Sequence, residues 1–366
     1  MIRSRFRGCF LGGAVGDALG APIEFMRRQD ILEKYGERGL RDMVPAYGRL
    51  GAITDDTQMA LFTAEGLLRS FFCDAPHDLS CAPESIARAY LRWLHTQDLS
   101  HPLQQDCLNG WLLKHQELFA RRAPGRTCIA ALQALRALGQ PARNDSKGCG
   151  GVMRVAPIGM MLQSISVGSQ QGSYEHFQKS FDLGCAAAGV THGHSTGQLA
   201  SGAFSAIIFQ LLAGMDLLGA TLTVLELLAG YPGHEETSEA IRLALKMADE
   251  QPNNFDALKR LGEGWVAEEA LAIGLYCAYC AIDIESGVIM AVNHDGDSDS
   301  TGLIAGHLLG AMHGVAAIPS RWLKVLELRT VIEQVADDLA DVGYRHAGDH
   351  ESVADHDFFT ERYPCV

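Results

Sequence analysis

"GCFLGGAVGDALG" (Gly8–Gly20) and "GLIAGHLLGAMHG" (Gly302–Gly314) place a glycine at every fourth position of an otherwise apolar run. The period is helical and not that of a strand. Glycine costs about 1 kcal/mol per position inside a helix, so Gly8, Gly12, Gly16 and Gly20 demand a compensating contact, as do Gly302, Gly306, Gly310 and Gly314. A ridge of small residues at four-residue spacing lets helix backbones approach closely. The two stretches therefore predict a pair of buried central helices that hold the loops at their ends in fixed geometry.

Helical periodicity recurs outward from them, over Arg5–Gly20, Thr57–Phe71, Pro83–Thr96, Thr127–Leu138, Phe177–Val190, Gly197–Leu212, Leu218–Leu228, Glu236–Asp249, Ala267–Ala281, Ser286–Val292, Thr301–Val315 and Lys324–Leu339. Thr57, Asp216 and Ser300 read as N-caps. Alternation of period two is almost absent, so little or no sheet is expected. Linker-like stretches at Cys73–Pro83, Gln163–Ser173 and Gln251–Phe255 are short, with helical patterns resuming after each. The 366 residues thus read as one all-α domain, a compact multi-helix bundle over 1–366, with 344–366 a loosely docked tail.

Hydrophobic residues at 47% allow a sizeable core, and the net charge of −14 argues against a nucleic-acid surface, which needs a basic stripe. Ten cysteines show no framework spacing and read as buried and reduced. The opening "MIRSRFRGCF" is too short and too charged for a signal peptide, and the most apolar span, Gly302–Ile318, carries His307 and His313. A soluble, cytoplasmic protein without membrane contact is expected.

Two acidic clusters each open a helical pattern: "TDDT" (Thr54–Thr57) and "DGDSDS" (Asp295–Ser300). Either alone is an ordinary N-cap signal, because carboxylates and hydroxyls accept orphan amide N–H groups and complement the helix dipole. The device appears twice, without a basic residue in either cluster. Like charges this close need an offset, and hard divalent cations favour such all-oxygen donors. Glu24 adds a third carboxylate on the loop beyond Pro22, so the pieces suggest a binuclear magnesium or manganese site. "NDSKGCGGVM" (Asn144–Met153) is glycine-rich without being a nucleotide-binding P-loop. Gly148, Gly150 and Gly151 would free its backbone to turn N–H groups toward an anion, with Ser146 adding a hydroxyl. Arg154 adds charge there or pairs with a carboxylate. His192 and His194 in "VTHGHSTG" lack metal-ligand spacing and read as structural or ligand contacts.

Taken in order, "GCFLGGAVGDALGAPIEF", "TDDT", "SKGCGGVMRVAPIG", "THGHSTG" and "GDSDSTG" resemble the ADP-ribosylglycohydrolase family over nearly the whole chain. The resemblance implies an all-α fold with two Mg²⁺ or Mn²⁺ ions, held by Thr54, Asp55 and Asp56 on one side and Asp297, Asp299 and Ser300 on the other. Many relatives have Thr at the last position, and Thr301 is its neighbour here. The resemblance assigns diphosphate binding to Ser146, Gly148, Cys149, Gly150, Gly151, Val152 and Met153, with His192 near the ligand. It gives Glu24 a part in gating or proton transfer, and makes Asp55, Asp56 or Glu24 the general acid or base. The implied reaction removes ADP-ribose from a modified protein side chain, most readily arginine, with a cognate ADP-ribosyltransferase as a partner in the cycle. Serine-linked ADP-ribose, O-acetyl-ADP-ribose and a non-catalytic binding or immunity role are the alternatives.

Overall fold

The computed structural model describes residues 2–74, 79–168, 173–346, 359 and 361–365. Its α-helices are α1 (Ile2–Gly20), α2 (Arg28–Tyr35), α3 (Asp55–Arg69), α4 (Ala82–Thr96), α5 (Arg126–Gln133), α6 (Ala156–Gly168), α7 (Ser173–Gly189) and α8 (Ser195–Ala213). They continue as α9 (Leu217–Leu228), α10 (Glu235–Glu250), α11 (Phe255–Leu261), α12 (Ala267–Cys280), α13 (Ile284–Val292), α14 (Ser298–His313), α15 (Ser320–Leu323) and α16 (Arg329–His346). Among the described residues the only strands form a two-residue hairpin, Pro45–Ala46 with Arg49–Leu50.

The glycine ridges of α1 and α14 meet each other, antiparallel and at backbone contact. A methyl group on Gly16 would lie 1.9 Å from the Gly302 carbonyl oxygen, one on Gly12 2.3 Å from that of Gly306, and one on Gly8 2.5 Å from that of Gly310. Gly20 faces the Ser298 carbonyl in the same way, at 2.3 Å. The direction of pairing follows: the C-terminal end of α1 lies against the N-terminal end of α14. Around this pair the core buries Trp93, Trp322, Tyr276, Phe62 and Phe204.

The helix ends differ from the sequence expectation where side-chain capping decides them. α3 is capped by Thr54 and not Thr57, and α14 by Asp297 and not Ser300; Asp216 caps α9 as expected. The expected Thr127–Leu138 helix stops at Gln133, and of the expected Lys324–Leu339 helix only the part from Arg329 onward is helical, as the start of α16, because Leu328 has a φ of 54° that no helix accommodates. Four helices carried no readable amphipathic signal: α2, α11 and α15 are short, and α6 is apolar almost all round. The linker at Gln163–Ser173 is largely helical through Gly168, and residues 75–78 and 169–172 of the expected linkers lie outside the described residues.

Two expectations need correction. The end of the tail is docked: Tyr363 is fully buried and donates to Asp338 at 2.6 Å, Arg362 pairs with Asp338, and Phe359 packs on Phe72. Its aromatic residues supply the apolar surface that anchors it; residues 347–358, 360 and 366 lie outside the described residues. Nor are all cysteines reduced, since Cys73 and Cys365 form a disulfide across 292 residues of sequence. The described helix long and apolar enough to span a membrane is α8 and not the Gly302–Ile318 stretch; 83% of its apolar window is buried inside the protein.

Candidate active site

Asp17, in the last turn of α1, is fully buried. Its carboxylate accepts hydrogen bonds from the Thr54 amide at 3.0 Å and from the Thr57 amide at 3.2 Å, and a further one from the Thr57 hydroxyl. Arg122 holds the turn from the other side. Its guanidinium donates to the Ile53 carbonyl at 2.9 Å and pairs with buried Glu327, while its own carbonyl accepts from the Asp55 amide. The Thr54 hydroxyl accepts the Asp56 amide, and the Asp55 carboxylate accepts the Gly125 amide at 3.1 Å. The "TDDT" turn is therefore fixed before any ligand arrives.

The second cluster reaches it through α14. Asn293 bonds both the amide and the carbonyl of Leu40, and the Asp297 amide donates to the Glu263 carbonyl at 2.8 Å, fixing the chain ahead of the helix. Gly296 has φ 117°, and a methyl group there would lie 2.0 Å from the Glu263 oxygen, so only glycine fits. Ser300 donates to the Asp56 carboxylate at 2.7 Å, joining the two acidic helix starts. Thr301 turns the other way: its hydroxyl lies at 2.8 Å from the carbonyls of Ala291 and Asp297 and from His294 Nε2. Ser300 is thus the hydroxyl that faces the carboxylates. Asp295 is outside this group, accepting the Arg28 amide at the start of α2.

Glu24 completes the set from the hydrogen-bonded turn after α1. It is 7% exposed, and its Oε2 is buried without a hydrogen-bond partner. Burial, then Asp299, Asp297, Asp55 and Asp17, push its carboxyl up to about 11. Burial and Asp299 push Asp17 up to about 7. Burial raises Asp55, Asp56, Asp297 and Asp299 as well, with neighbouring carboxylates adding to the effect on the first three. Among the described residues no ion pair reaches any of these six. They are oxygen donors whose ionisation is held back by burial and, for most of them, by one another, and a hard divalent cation is what would favour their charged form. As they stand, no three acidic, thiol or imidazole side chains among the described residues converge closely enough to hold an ion. The hydrogen bonds from Ser300 to Asp56 and from the Cys149 thiol to Asp297, the latter at 2.7 Å, occupy oxygens an ion would compete for.

Cys149 belongs to the glycine-rich loop, which runs alongside. Gly148 bridges to Val266, the Cys149 amide donates to the Trp265 carbonyl at 3.1 Å, and the Ser146 hydroxyl meets that of Thr127. The loop passes into a short 3₁₀ turn, Val152–Arg154. Among the described residues the Gly150 and Gly151 amides have no hydrogen-bond acceptor. None of Gly148, Gly150 and Gly151 has a positive φ. A methyl group on Gly150 would come within 2.8 Å of Cys128 Sγ and 3.1 Å of His192, and one on Gly151 within 3.0 Å of Ala188, so space is what excludes side chains.

His192 packs behind this loop, buried, with Nδ1 at 2.8 Å from the Thr191 hydroxyl; burial and Arg154 push it down to about 3, so it is neutral. His194 caps α8. Among the described residues Arg154 pairs with no carboxylate: it donates to Thr191 and the Ala187 carbonyl and lies 4.2 Å over Tyr90. Sequence reasoning missed Asp17, whose signal is one ionisable residue within an apolar glycine ridge. It also missed Tyr47, at φ 50° on the hairpin turn, whose phenol is pushed up by burial and by Glu24, Asp299, Asp17 and Asp55.

These features define an all-α protein that gathers two acidic helix starts beside a loop with free amide groups. The chain belongs to the ADP-ribosylglycohydrolase family, whose pattern matches residues 1–348. It is 25% identical to the ADP-ribosyl-[dinitrogen reductase] glycohydrolase of Rhodospirillum rubrum, covering 90% of this chain and 92% of that one. It is 24% identical to the ADP-ribosylhydrolase ARH3 of Bos taurus, covering 88% and 89%. A solved ADP-ribosylglycohydrolase-related protein complex superposes with a TM-score of 0.66 at 27% identity, covering 93% of this chain and 99% of that one. Membership points to ADP-ribosyl hydrolase activity on protein or other ADP-ribose conjugates, with ADP-ribose released.

Proposed function

We propose that this chain is a divalent-metal-dependent hydrolase that removes ADP-ribose from arginine side chains of a target protein. The observation that carries the reading is the Ser300–Asp56 hydrogen bond that joins the two acidic helix starts, with Asp299 near enough to raise both Asp55 and Asp56, beside a buried Glu24 Oε2 without a partner and, among the described residues, no ion pair to any of these carboxylates. Thr54, Asp55 and Asp56 would hold a pair of Mg²⁺ or Mn²⁺ ions from one side, and Asp297, Asp299 and Ser300 from the other. When bound, the ions supply Lewis-acid charge that orients the ribose hydroxyls and polarises the attacking water.

The remaining steps fall to the chain itself. The free amides of Gly150 and Gly151 address the diphosphate, with Ser146 beside them, and fix the ribose carbon C1″ against the acidic cluster. Neutral His192 backs the loop without adding charge. Glu24 Oε2 is buried and without a partner; divalent charge on the neighbouring aspartates would offset the repulsion that raises its carboxyl, so that, ionised, it takes a proton from the water as the water oxygen bonds to C1″ and returns it to the departing nitrogen as the C1″–N bond breaks. Six buried acids and no basic side chain paired to them among the described residues make the pocket acidic, which suits a cationic guanidinium on the far side of the bond. The enzyme that installs the modification is then an arginine-directed ADP-ribosyltransferase acting on the same target.

The test is to incubate the protein and Mg²⁺ with arginine-linked, serine-linked and O-acetyl ADP-ribose substrates and measure free ADP-ribose. Release from the arginine-linked substrate alone is expected. Release from the serine-linked or acetyl substrate with the arginine one intact would overturn the linkage. Binding of ADP-ribose without release from any of them would replace the enzyme by a binding protein.

A further inference from the structure

The hairpin turn Tyr47–Gly48 carries a residue that its backbone does not favour. Pro45 pairs with Leu50 and Ala46 with Arg49, leaving two turn residues whose φ angles are 50° and 81°. A two-residue turn with both angles positive prefers Asn-Gly, because these residues enter the left-handed region most readily. Gly48 meets that preference and Tyr47 does not. A bulky side chain at positive φ is strained, and such strain persists where the surrounding structure fixes it. The Tyr47 side chain is also 44% exposed, so burial in the core does not compensate.

The surroundings fix it through one carboxylate. Glu327, fully buried, pairs with Arg49 on the hairpin and with Arg122 beside the "TDDT" turn, and it accepts the Ile53 amide at 3.1 Å. Its own amide donates to the Gly51 carbonyl at 3.0 Å. The hairpin and the first acidic helix start therefore hang from the same anchor. The Arg122 guanidinium lies 5.7 Å from the Tyr47 ring centroid, at the outer limit of a cation–π contact. Burial, then Glu24, Asp299, Asp17 and Asp55, push the phenol up, so it stays protonated beside these acids. A neutral aromatic ring thus stands at the edge of the acidic cluster, already next to one guanidinium and with much of its surface open. We propose that the Tyr47 ring is the specificity contact for the modified side chain, its open surface taking the guanidinium of an ADP-ribosylated arginine by a cation–π interaction. The inference rests on the arginine reading above and deepens it.

Two variants separate the ring from the turn. Tyr47→Asn removes the ring while supplying the residue the turn prefers, so it should melt no lower than the parent. Tyr47→Phe keeps the ring and removes the hydroxyl. Turnover of an arginine-linked ADP-ribosylated protein is measured with Mg²⁺ present, and ADP-ribose binding is followed separately by calorimetry. In Tyr47→Asn, KM is expected to rise about tenfold with kcat within about threefold of the parent, the mark of a contact made equally before and during reaction. Tyr47→Phe should keep the parental KM, and both variants the parental affinity for ADP-ribose, which lacks the guanidinium. A parental KM in Tyr47→Asn, an equal rise in Tyr47→Phe, or a matching loss of ADP-ribose affinity overturns the assignment of Tyr47 alone. Release by the parent from the serine-linked or acetyl substrate, with the arginine-linked one intact, overturns the linkage and the part of Tyr47 with it.

Discussion

Asp17 accepts hydrogen bonds from the Thr54 and Thr57 amides and from the Thr57 hydroxyl, and both its oxygens are used. Asp17→Asn turns an NH₂ toward those donors, and leaving buried groups unsatisfied should cost about 1–3 kcal/mol, read as a lower thermal midpoint. The same residue sets a pH dependence. Its carboxyl stands at about 7 in the fold against an ordinary 3.8, so the protonated form is the one the fold favours. Its contribution is complete below the lower value and is lost as pH rises toward the upper one. Glu24, raised to about 11, continues the same trend above that window. Protein kept free of divalent ions should therefore melt at progressively lower temperature as pH rises from about 4 to about 7; a midpoint that rises across that range contradicts the assignment. Glu24→Gln should lower turnover about 10²–10⁴-fold, the range for loss of a general acid or base, with ADP-ribose affinity retained in calorimetry. Most of these residues were legible because two adjacent aspartates flanked by hydroxyls exceed what an N-cap needs. Asp17 was not, because a single acid within a helix is ordinary until its partners, 37 and 40 residues away, are known.

Gly16 and Gly302 show how an element serves the site. Gly16→Ala raises intrinsic helix propensity by about 1 kcal/mol, but its methyl group would lie 1.9 Å from a backbone oxygen that cannot move aside. Overpacking typically costs about 1–3 kcal/mol, so net destabilisation is expected. Activity should fall with it, since α1 carries Asp17 and leads to Glu24, while α14 carries Asp299. Gly189→Ala is the control: it ends α7, and its nearest neighbour would be 3.5 Å away. Thermal melts of the two variants should separate, with Gly189→Ala close to the parent; equal midpoints would show that the ridge is not a contact. The ridge was readable because a four-residue glycine period marks a closely packed helix face; that the two ridges meet each other came only with the structure. α6 was not, because a helix buried all round has no polar face to mark its period. In the glycine-rich loop the reason for glycine was not legible: proximity to Cys128, His192 and Ala188, not a left-handed φ, excludes side chains at Gly150 and Gly151.

Across the whole molecule, Cys73 and Cys365 join the segment just after α3 to the C-terminal segment anchored by Tyr363 and Arg362. Reduction, or Cys73→Ser, should lower stability by about 2–4 kcal/mol, the usual worth of a disulfide closing a long loop, and a non-reducing peptide map checks the pairing. No sequence signal could have found it, because the two cysteines stand 292 residues apart without framework spacing. The all-α architecture was legible because helical periodicity fills the chain, whereas the docking of the tail depended on two aromatic residues after a polar stretch. The central claim is that the carboxylates of two helix starts act by holding divalent ions. The most direct measurement strips the protein with a chelator, then follows bound ions and ADP-ribose release together as Mg²⁺ is restored, in the parent and in Asp299→Asn. The account predicts no release from the stripped protein, recovery in step with binding of about two ions per chain, and neither in the variant. Full release in the presence of chelator, with no ion bound, would contradict it.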